Sequence, residues 1–201
     1  MRKHNLKDVL LVKNEKICDC SAEVAKWNYW DHEHLEVIHD SYVSSDCLYE
    51  KNNVYFCIHK IKIPIFSFLH VQTPMLVIQQ NETTMYSIVQ QLGIISKTTI
   101  TINPINDKKC KIEMNYEFYL NGWRKILKPL LKRLIPIWSE RVYREDLPIK
   151  LRRQKYLELG FKDFQGMPPL ENRQPISIKK TVLPIPRPKK SIRDLHPLKI
   201  K

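Results

Sequence analysis

The stretch NYWDHEHLEVIH, residues 28–39, concentrates side chains that can bind a metal ion or carry a proton. It holds three histidines and three acids within twelve positions. Imidazole nitrogens and carboxylate oxygens are ligands of divalent transition metals, and histidine also changes its charge near neutral pH. The composition alone leaves three interpretations open, which are a metal site, a pH-sensitive surface and an ordinary helix of unusual composition.

The spacing of these residues narrows the chemistry. Side chains three or four positions apart share one face of an α-helix. Asn28, Asp31 and His34 therefore lie on one stripe, and Asp31 can reach the imidazole of His34 or its neighbour. His39 lies five positions beyond His34, so the two converge only if the helix ends, bends or carries a π-type turn between them. The pair is not a zincin site, since zincin histidines lie four positions apart.

The elements that must position these residues follow from local patterns. Residues 15–20 alternate as in a first strand, and residues 21–39 begin with Ser21 as a helix N-cap and continue with helix formers. Between residues 42 and 120, short β-branched and aromatic segments are separated by breaks such as Pro74. Such closely spaced segments predict an antiparallel meander.

The chain returns to helical patterns after Gly122. One helix is predicted over residues 123–138 and a second over 139–160, with kinks or interruptions at three prolines, Pro129, Pro136 and Pro148. Strand, helix, several antiparallel strands and a long C-terminal helix make an α+β architecture. This order resembles the helix-grip fold of START-like proteins. The resemblance implies a curved sheet wrapped around the last helix, with a deep apolar cavity between them.

Length and composition predict one globular domain with two appendages. The chain has 201 residues, of which 43% are hydrophobic, enough to bury a core. We expect an N-terminal extension over residues 1–14, a helix-grip domain over 15–166 and a Pro-rich basic tail over 167–201. The tail composition favours an extended or disordered segment rather than a packed one.

Charge and cysteine content restrict the compartment and the partners. The net charge of +13 invites a nucleic-acid partner, but no zinc-finger, helix-turn-helix or RNP signature accompanies it. The five cysteines are odd in number and irregularly spaced, as in reduced thiols of a cytoplasmic or other reducing compartment. Cys18-Asp19-Cys20 is half of a zinc pattern without a second half. Because the apolar runs are short, we expect neither secretion nor a transmembrane span.

The histidine-rich stretch resembles one specific family. The spacing Asn28-x2-Asp31-x2-His34-x4-His39 is similar to the iron-binding segment of the catalytic domain of Rieske non-haem aromatic-ring-hydroxylating oxygenases, which is itself a helix-grip domain. The downstream segment YREDLPIKLRRQKYLELG resembles the acid of that family, which is followed by a helix containing Gln.

The resemblance implies a site and a cofactor. His34, His39 and Asp146 would hold a mononuclear Fe(II) as a facial triad, with Glu145 as the neighbour that could take the place of Asp146. By the same resemblance, Asp31 would bond a histidine ligand on the electron path. Asn28 would be a polar residue near the iron.

The sequence also departs from this family. Family members carry a Rieske domain whose [2Fe–2S] cluster is bound by two Cys and two His. We expect no such cluster on this chain, because Cys57-Ile-His59 imitates only half of that motif, inside a predicted strand. Electrons would then come from an external reductase or ferredoxin.

Three functional hypotheses follow. The first is an iron oxygenase of the hydroxylase or demethylase type acting on an apolar or aromatic substrate. The second is a START-like carrier or sensor of a lipid or other apolar ligand, whose histidines are a remnant and whose basic helix and tail contact an anionic membrane or a protein. The third is a subunit of a larger assembly docked through the tail. In all three, His32 is expected to be a solvated surface residue.

Overall fold

A computed structural model of the chain describes residues 9–63 and 66–160. Helices and strands follow one another in the order that the sequence predicts. They are β1 (Val9–Cys18), α1 (Ala22–Trp30), α2 (His34–Ile38), β2 (Tyr42–Lys51), β3 (Val54–Ile63), β4 (Phe66–Gln79), β5 (Thr84–Gln91), β6 (Ile94–Asn106), β7 (Lys109–Tyr119), a 3₁₀ helix (Gly122–Leu127) and α3 (Lys128–Glu158).

The strands form one antiparallel sheet with the order β1-β7-β6-β5-β4-β3-β2. Alternate residues of β7, from Cys110 to Phe118, are buried on the face that α1 and α3 cover, as period-two patterning requires. Side chains of α3 such as Leu131 and Leu147 pack against this core. The predicted α+β helix-grip fold, with a sheet packed around a long C-terminal helix, is confirmed.

The first helical region is broken in two. Ser21 caps α1 as predicted, because its side chain accepts a hydrogen bond from the backbone N–H of Val24 at 3.3 Å. The single helix predicted over residues 21–39 is wrong, since α1 ends at Trp30 and α2 begins only at His34. Asp31 follows α1 with an extended backbone, at ψ 97°, which turns the chain out of the helix. Helix α1 therefore ends before His34, and α2 ends directly before His39.

The C-terminal region is one helix rather than two. Pro129 lies in the first turn of α3, where its missing N–H costs nothing, but Pro136 and Pro148 lie inside the helix without ending it. Both inner prolines are exposed. The predicted interruption is therefore wrong, because residues on both sides of the prolines, such as Leu131 and Leu147, hold the helix against the core. Asp146 consequently lies within α3 and not at its start.

Two further boundaries differ from the sequence predictions. β1 begins at Val9, six residues before the predicted strand. Pro74 does not interrupt a strand but lies inside β4, where it pairs with Ile58 of β3. On its other side it has no partner, because the pairing of β4 with β5 starts only at Met75. A proline is tolerated at such a position because no neighbour on that side needs its N–H. The predicted tail over 167–201 lies outside the described residues. None of the described helices is both long and apolar enough to cross a membrane.

Candidate metal centre

The structure brings the three predicted metal ligands together. His34 is the first residue of α2, His39 directly follows α2, and Asp146 projects from α3. The Nε2 atoms of His34 and His39 lie 3.3 Å and 3.0 Å from the same oxygen of Asp146, Oδ1. One ligand atom from each residue lies within 4.8 Å of the other two. Adjacent ligands of an octahedral ion are about 3 Å apart at ordinary bond lengths, so this set fits a divalent ion bound on one face.

The other nitrogen of each ring is occupied, which orients both imidazoles. His34 Nδ1 forms a short hydrogen bond with the backbone carbonyl of Asp31. His39 Nδ1 donates to Oε2 of Glu145 at 2.7 Å. A neutral imidazole that donates from Nδ1 keeps its lone pair on Nε2. His39 Nε2 is buried and forms no aligned hydrogen bond despite its 3.0 Å distance from Asp146. Both lone pairs are thus available to a cation.

Asp31 does not play the role that the resemblance implies. Its carboxylate accepts a hydrogen bond from the backbone N–H of Glu33 at 3.2 Å, and its carbonyl rather than its carboxylate contacts His34. The reason is local, because the last carbonyls of a helix lack intrahelical donors and the extended backbone at Asp31 leaves its own carbonyl free. Glu145 is the carboxylate that bonds a histidine ligand, so it acts beside Asp146 rather than in its place.

Asn28 lies next to the cluster, as the resemblance implies. It is fully buried in α1, and its Nδ2 is 3.5 Å from Nε2 of His34. Its Oδ1 is buried without a hydrogen-bond partner. Burying an amide oxygen without a hydrogen-bond donor costs free energy. Its position beside the candidate ligand atoms therefore indicates that the site binds a polar or charged ligand.

Lys150 is the residue of this site that the sequence reasoning missed. It is fully buried one turn after Asp146, and its Nζ lies 3.4 Å from Oδ2 of that carboxylate. Its ammonium also stands 4.5 Å above the ring of Tyr29. The spacing of four positions between Asp146 and Lys150 could have indicated this pair, because an acid and a base four apart on a helix are neighbours. A divalent ion here would share the carboxylate of Asp146 with this cation.

The electrostatics of the cluster favour a charged carboxylate. Burial alone would raise the pKa of Asp146, but in the metal-free protein its contacts with His34 and His39 and the charge of Lys150 outweigh this effect and lower the pKa. Burial would likewise lower the pKa of His39, but the neighbouring carboxylates of Asp146 and Glu145 raise it in the metal-free protein. Asp146 is therefore ionised at neutral pH, as a metal-ligating carboxylate must be.

Aromatic side chains border the cluster on the sheet side. The ring of Tyr42 lies 5.9 Å from that of His39, and its far side meets the ring of His59 at 5.4 Å. Burial and the charge of Asp146 raise the pKa of Tyr42 to about 12, so its hydroxyl keeps its proton. Tyr42 thus separates the candidate metal centre from the next polar group on β3.

The predicted deep apolar cavity is not among the best-formed pockets of the described residues. These pockets are two open surface grooves of about 520 Å³ and 540 Å³, one beside the β6–β7 turn and one along the outer side of α3. Neither is lined by the histidine cluster. Buried Asp146, Lys150 and Gln154 instead occupy the space between α3 and the sheet. An apolar ligand cavity therefore stays a prediction.

Comparisons with known proteins place the fold. No protein-family model matches the chain, and no curated protein sequence matches it either. Among solved structures, the di-domain ARO/CYC StfQ from the steffimycin biosynthetic pathway is similar at TM-score 0.63 and 9% identity, over 72% of this chain and 52% of that chain. A START superfamily protein from Mycobacterium smegmatis is similar at TM-score 0.57 and 13% identity, over 73% of this chain and 98% of the other.

A third similar structure is dicamba monooxygenase bound to 3,6-dichlorosalicylic acid, at TM-score 0.62 and 12% identity. It covers 82% of this chain and 56% of the monooxygenase. The chain thus spans about half the length of StfQ and of the monooxygenase. At these identities the likeness to the three structures shows the fold alone, which is the helix-grip fold.

Proposed function

We propose that this chain is a mononuclear non-haem iron oxygenase domain, with Fe(II) bound by His34, His39 and Asp146. The observation that carries the proposal is the approach of two imidazole Nε2 atoms to one carboxylate oxygen, at 3.3 Å and 3.0 Å. Two histidines and one carboxylate with open positions are the typical ligand set of non-haem Fe(II) oxygenases. The spacing of the same residues in the sequence, and the helix-grip fold, support the proposal independently.

The residues around the ligands hold them in the protonation state that binding requires. Asp31, through its carbonyl, and Glu145, through its carboxylate, fix the Nδ1 proton of one histidine each. Such outer partners orient imidazole ligands and raise their basicity. Lys150 keeps the second oxygen of Asp146 engaged, so only Oδ1 faces the histidines. When bound, the iron would supply dioxygen activation at the coordination positions that three protein ligands leave open.

The proposed substrate is an apolar or aromatic small molecule, and the proposed electron donor is a separate reductase or ferredoxin. Tyr29 and Tyr42 border the cluster and can contact an apolar group. Hydroxylation with dioxygen requires two electrons in addition to the two that the substrate provides, because the second oxygen atom is reduced to water. The external donor would deliver these two electrons. The metal-free carrier is less well supported. A carrier without a metal has no use for the convergence of His34 and His39 on one carboxylate oxygen of Asp146, at 3.3 Å and 3.0 Å.

Nitric oxide tests this function, because it occupies open positions on Fe(II) and gives a high-spin iron–nitrosyl signal in electron paramagnetic resonance. Protein loaded anaerobically with Fe(II) should show this signal. The signal should disappear in His34→Ala and His39→Ala and persist in His70→Ala, which changes an exposed histidine of β4. Iron-loaded wild type without the signal, or a signal that survives both substitutions, would refute an open site at these residues.

A further inference from the structure

A second cluster of ligand-type side chains lies apart from the candidate metal centre, at the β2 edge of the sheet. His32, Cys47 and Cys57 each offer one ligand atom, and the three atoms lie within 4.8 Å of one another. Cys47 in β2 and Cys57 in β3 are directly opposite in the antiparallel register. His32 comes from the connection between α1 and α2. Three separate segments of the chain therefore converge on one point.

The burial of His32 contradicts the expectation that it is a solvated surface residue. Only 6% of the residue is exposed, because it packs on the buried ring of Tyr55 at 5.3 Å between ring centres. Its Nδ1 is buried and has no hydrogen-bond partner. A buried ring nitrogen without a partner loses the hydrogen bond that water would provide, so it calls for a ligand.

A carboxylate occupies the other side of this imidazole. Oε2 of Glu50 lies 3.5 Å from Nε2 of His32, and Oε1 of the same carboxylate accepts a hydrogen bond of 3.0 Å from the indole of Trp30. A carboxylate on one ring nitrogen favours the proton there and leaves the lone pair on the other nitrogen. This carboxylate–histidine pairing is the arrangement that orients imidazole ligands around metals.

We propose that His32, Cys47 and Cys57 bind a borderline-soft divalent cation, for which Zn²⁺ is the prototype. Two thiolates and one imidazole form a set that selects such ions over Mg²⁺ or Ca²⁺. In a tetrahedral zinc site, ligand atoms are roughly 3.5–3.8 Å apart, so the three side chains close around the ion with small movements. The thiols release their protons on binding. Cys47 is exposed, so water can reach the site as fourth ligand.

The ion would join the segment that carries the candidate iron ligands to the sheet. His32 lies between α1 and α2, two positions before His34, and both cysteines belong to the strands at this edge. Binding would therefore fix the connection that orients His34 and His39. The proposal uses none of the three residues assigned to iron, and it stands if the iron proposal fails.

Cobalt tests the site, because Co²⁺ substitutes for Zn²⁺ and shows thiolate-to-metal charge-transfer absorption only when cysteines bind it. The full chain, reduced with a phosphine so that Cys47 and Cys57 cannot form a disulfide, is titrated with Co²⁺ and then with Zn²⁺. We expect saturable thiolate–cobalt absorption that Zn²⁺ abolishes. Cys47→Ser should remove most of this absorption, and this exposed position is the one least able to disturb folding.

Three further variants separate the possible outcomes. Cys57→Ser should also remove the absorption, whereas Cys18→Ala, at a buried thiol outside the cluster, should retain it. The double variant His34→Ala with His39→Ala should retain it too, because that site offers no sulfur. Reduced wild type without thiolate–cobalt absorption would overturn the proposal. So would full absorption in Cys47→Ser, with circular dichroism confirming that each variant is folded.

Discussion

His34 and His39 differ in how their rings are held, although both face the same oxygen of Asp146. A backbone carbonyl at the end of α1 fixes His34, whereas a side-chain carboxylate on α3 fixes His39. The orientation of His34 therefore depends on the local fold of the α1–α2 connection. The orientation of His39 depends on the position of α3, which carries Glu145. The geometry of the candidate metal centre is therefore sensitive to how the helices pack.

The approach of the three residues of the candidate metal centre could be predicted from the sequence, but their hydrogen-bond partners could not. The spacing of Asn28, His34 and His39, together with the downstream Asp146, indicated the cluster. The spacing suggested Asp31 as the carboxylate partner, because on a continuous helix its side chain reaches His34. The helix ends at Trp30 instead, and Glu145 arrives from a helix more than a hundred positions away. Long-range approaches of this kind leave no local pattern in the sequence.

His59 makes a testable contribution to pH-dependent stability. It is 1% exposed, and neither ring nitrogen has a hydrogen-bond partner. In the metal-free protein, burial lowers its pKa to about 4 and the charge of protonated His32 lowers it further, whereas Asp46 opposes both; Tyr42 packs against the ring without a charge. Because the folded pKa is below the unfolded value of about 6.5, the contribution is complete above pH 6.5 and is lost as the pH falls toward 4.

We therefore expect the free energy of unfolding to fall between pH 6.5 and pH 4 more steeply in wild type than in His59→Phe. The excess loss should be on the order of 3 kcal/mol. Chemical denaturation with a chelator and a reductant present measures it at each pH. Asp146, whose pKa is lowered, loses its contribution only at more acidic pH and is present in both proteins. Equal slopes for the two proteins would show that His59 does not titrate in this way.

At the scale of elements, α3 continues through two prolines. Pro136 and Pro148 are exposed, whereas Ser139, Asp146 and Lys150 of the same helix are buried. Each proline removes one backbone hydrogen bond and disfavours the helix before it. The sequence rule that prolines interrupt helices fails here, because the buried face of α3 packs over its whole length. Tertiary packing of this kind is not encoded by any single residue.

This account predicts that the inner prolines destabilise the protein. Pro136→Ala and Pro148→Ala should each restore a helical hydrogen bond and raise the free energy of unfolding by about 1–3 kcal/mol. Pro129→Ala is the matched control. A backbone N–H in the first turn has no acceptor within the helix, so a proline there removes no helical hydrogen bond, and its replacement should change the free energy of unfolding by less than about 0.5 kcal/mol. Urea denaturation of the three variants compares them. A loss of stability in both inner variants would contradict an intact α3.

The strands were easier to predict than the helices, for a physical reason. Alternation of buried and exposed residues over β3 and β7 follows directly from the pleat of a half-buried strand. The start of β1 was missed because Val9 to Val12 form an apolar block without alternation, and their partner β7 lies a hundred positions away. Pairing with β7 extends this edge strand, and only the folded sheet supplies that partner.

For the whole molecule, the order of elements predicted an α+β architecture, and the resemblance of this order to START-like proteins predicted the helix-grip fold. The tail over 167–201 lies outside the described residues, and its composition alone motivates a prediction. Removal of residues 171–201 should shift the melting temperature by less than about 4 °C, equivalent to about 1 kcal/mol. Differential scanning calorimetry measures the shift.

A second truncation is the control for this prediction. Ending the chain after residue 140 removes the half of α3 that carries Asp146, Lys150 and Gln154, and this protein should not fold. If the shorter removal also yields insoluble protein, the tail packs as part of the domain and the predicted boundary is wrong.

The central claim is that His34, His39 and Asp146 bind Fe(II), and anaerobic iron analysis tests it most directly. Wild type incubated with Fe(II) and desalted should retain about one iron per chain, as should Glu140→Gln, whose carboxylate bonds Lys16 and Arg144 away from the cluster. Glu145→Gln should bind iron roughly 10–100-fold more weakly, since it removes the charged partner of His39 together with the exposed ion pair to Arg141.

The double variant His34→Ala with His39→Ala should retain no iron while its circular dichroism stays that of wild type. It is preferred to Asp146→Asn, which leaves the buried Lys150 without its carboxylate and endangers folding. Wild type that retains no more iron than the double variant would contradict the claim, and the three residues would then form a buried ionic cluster without a metal.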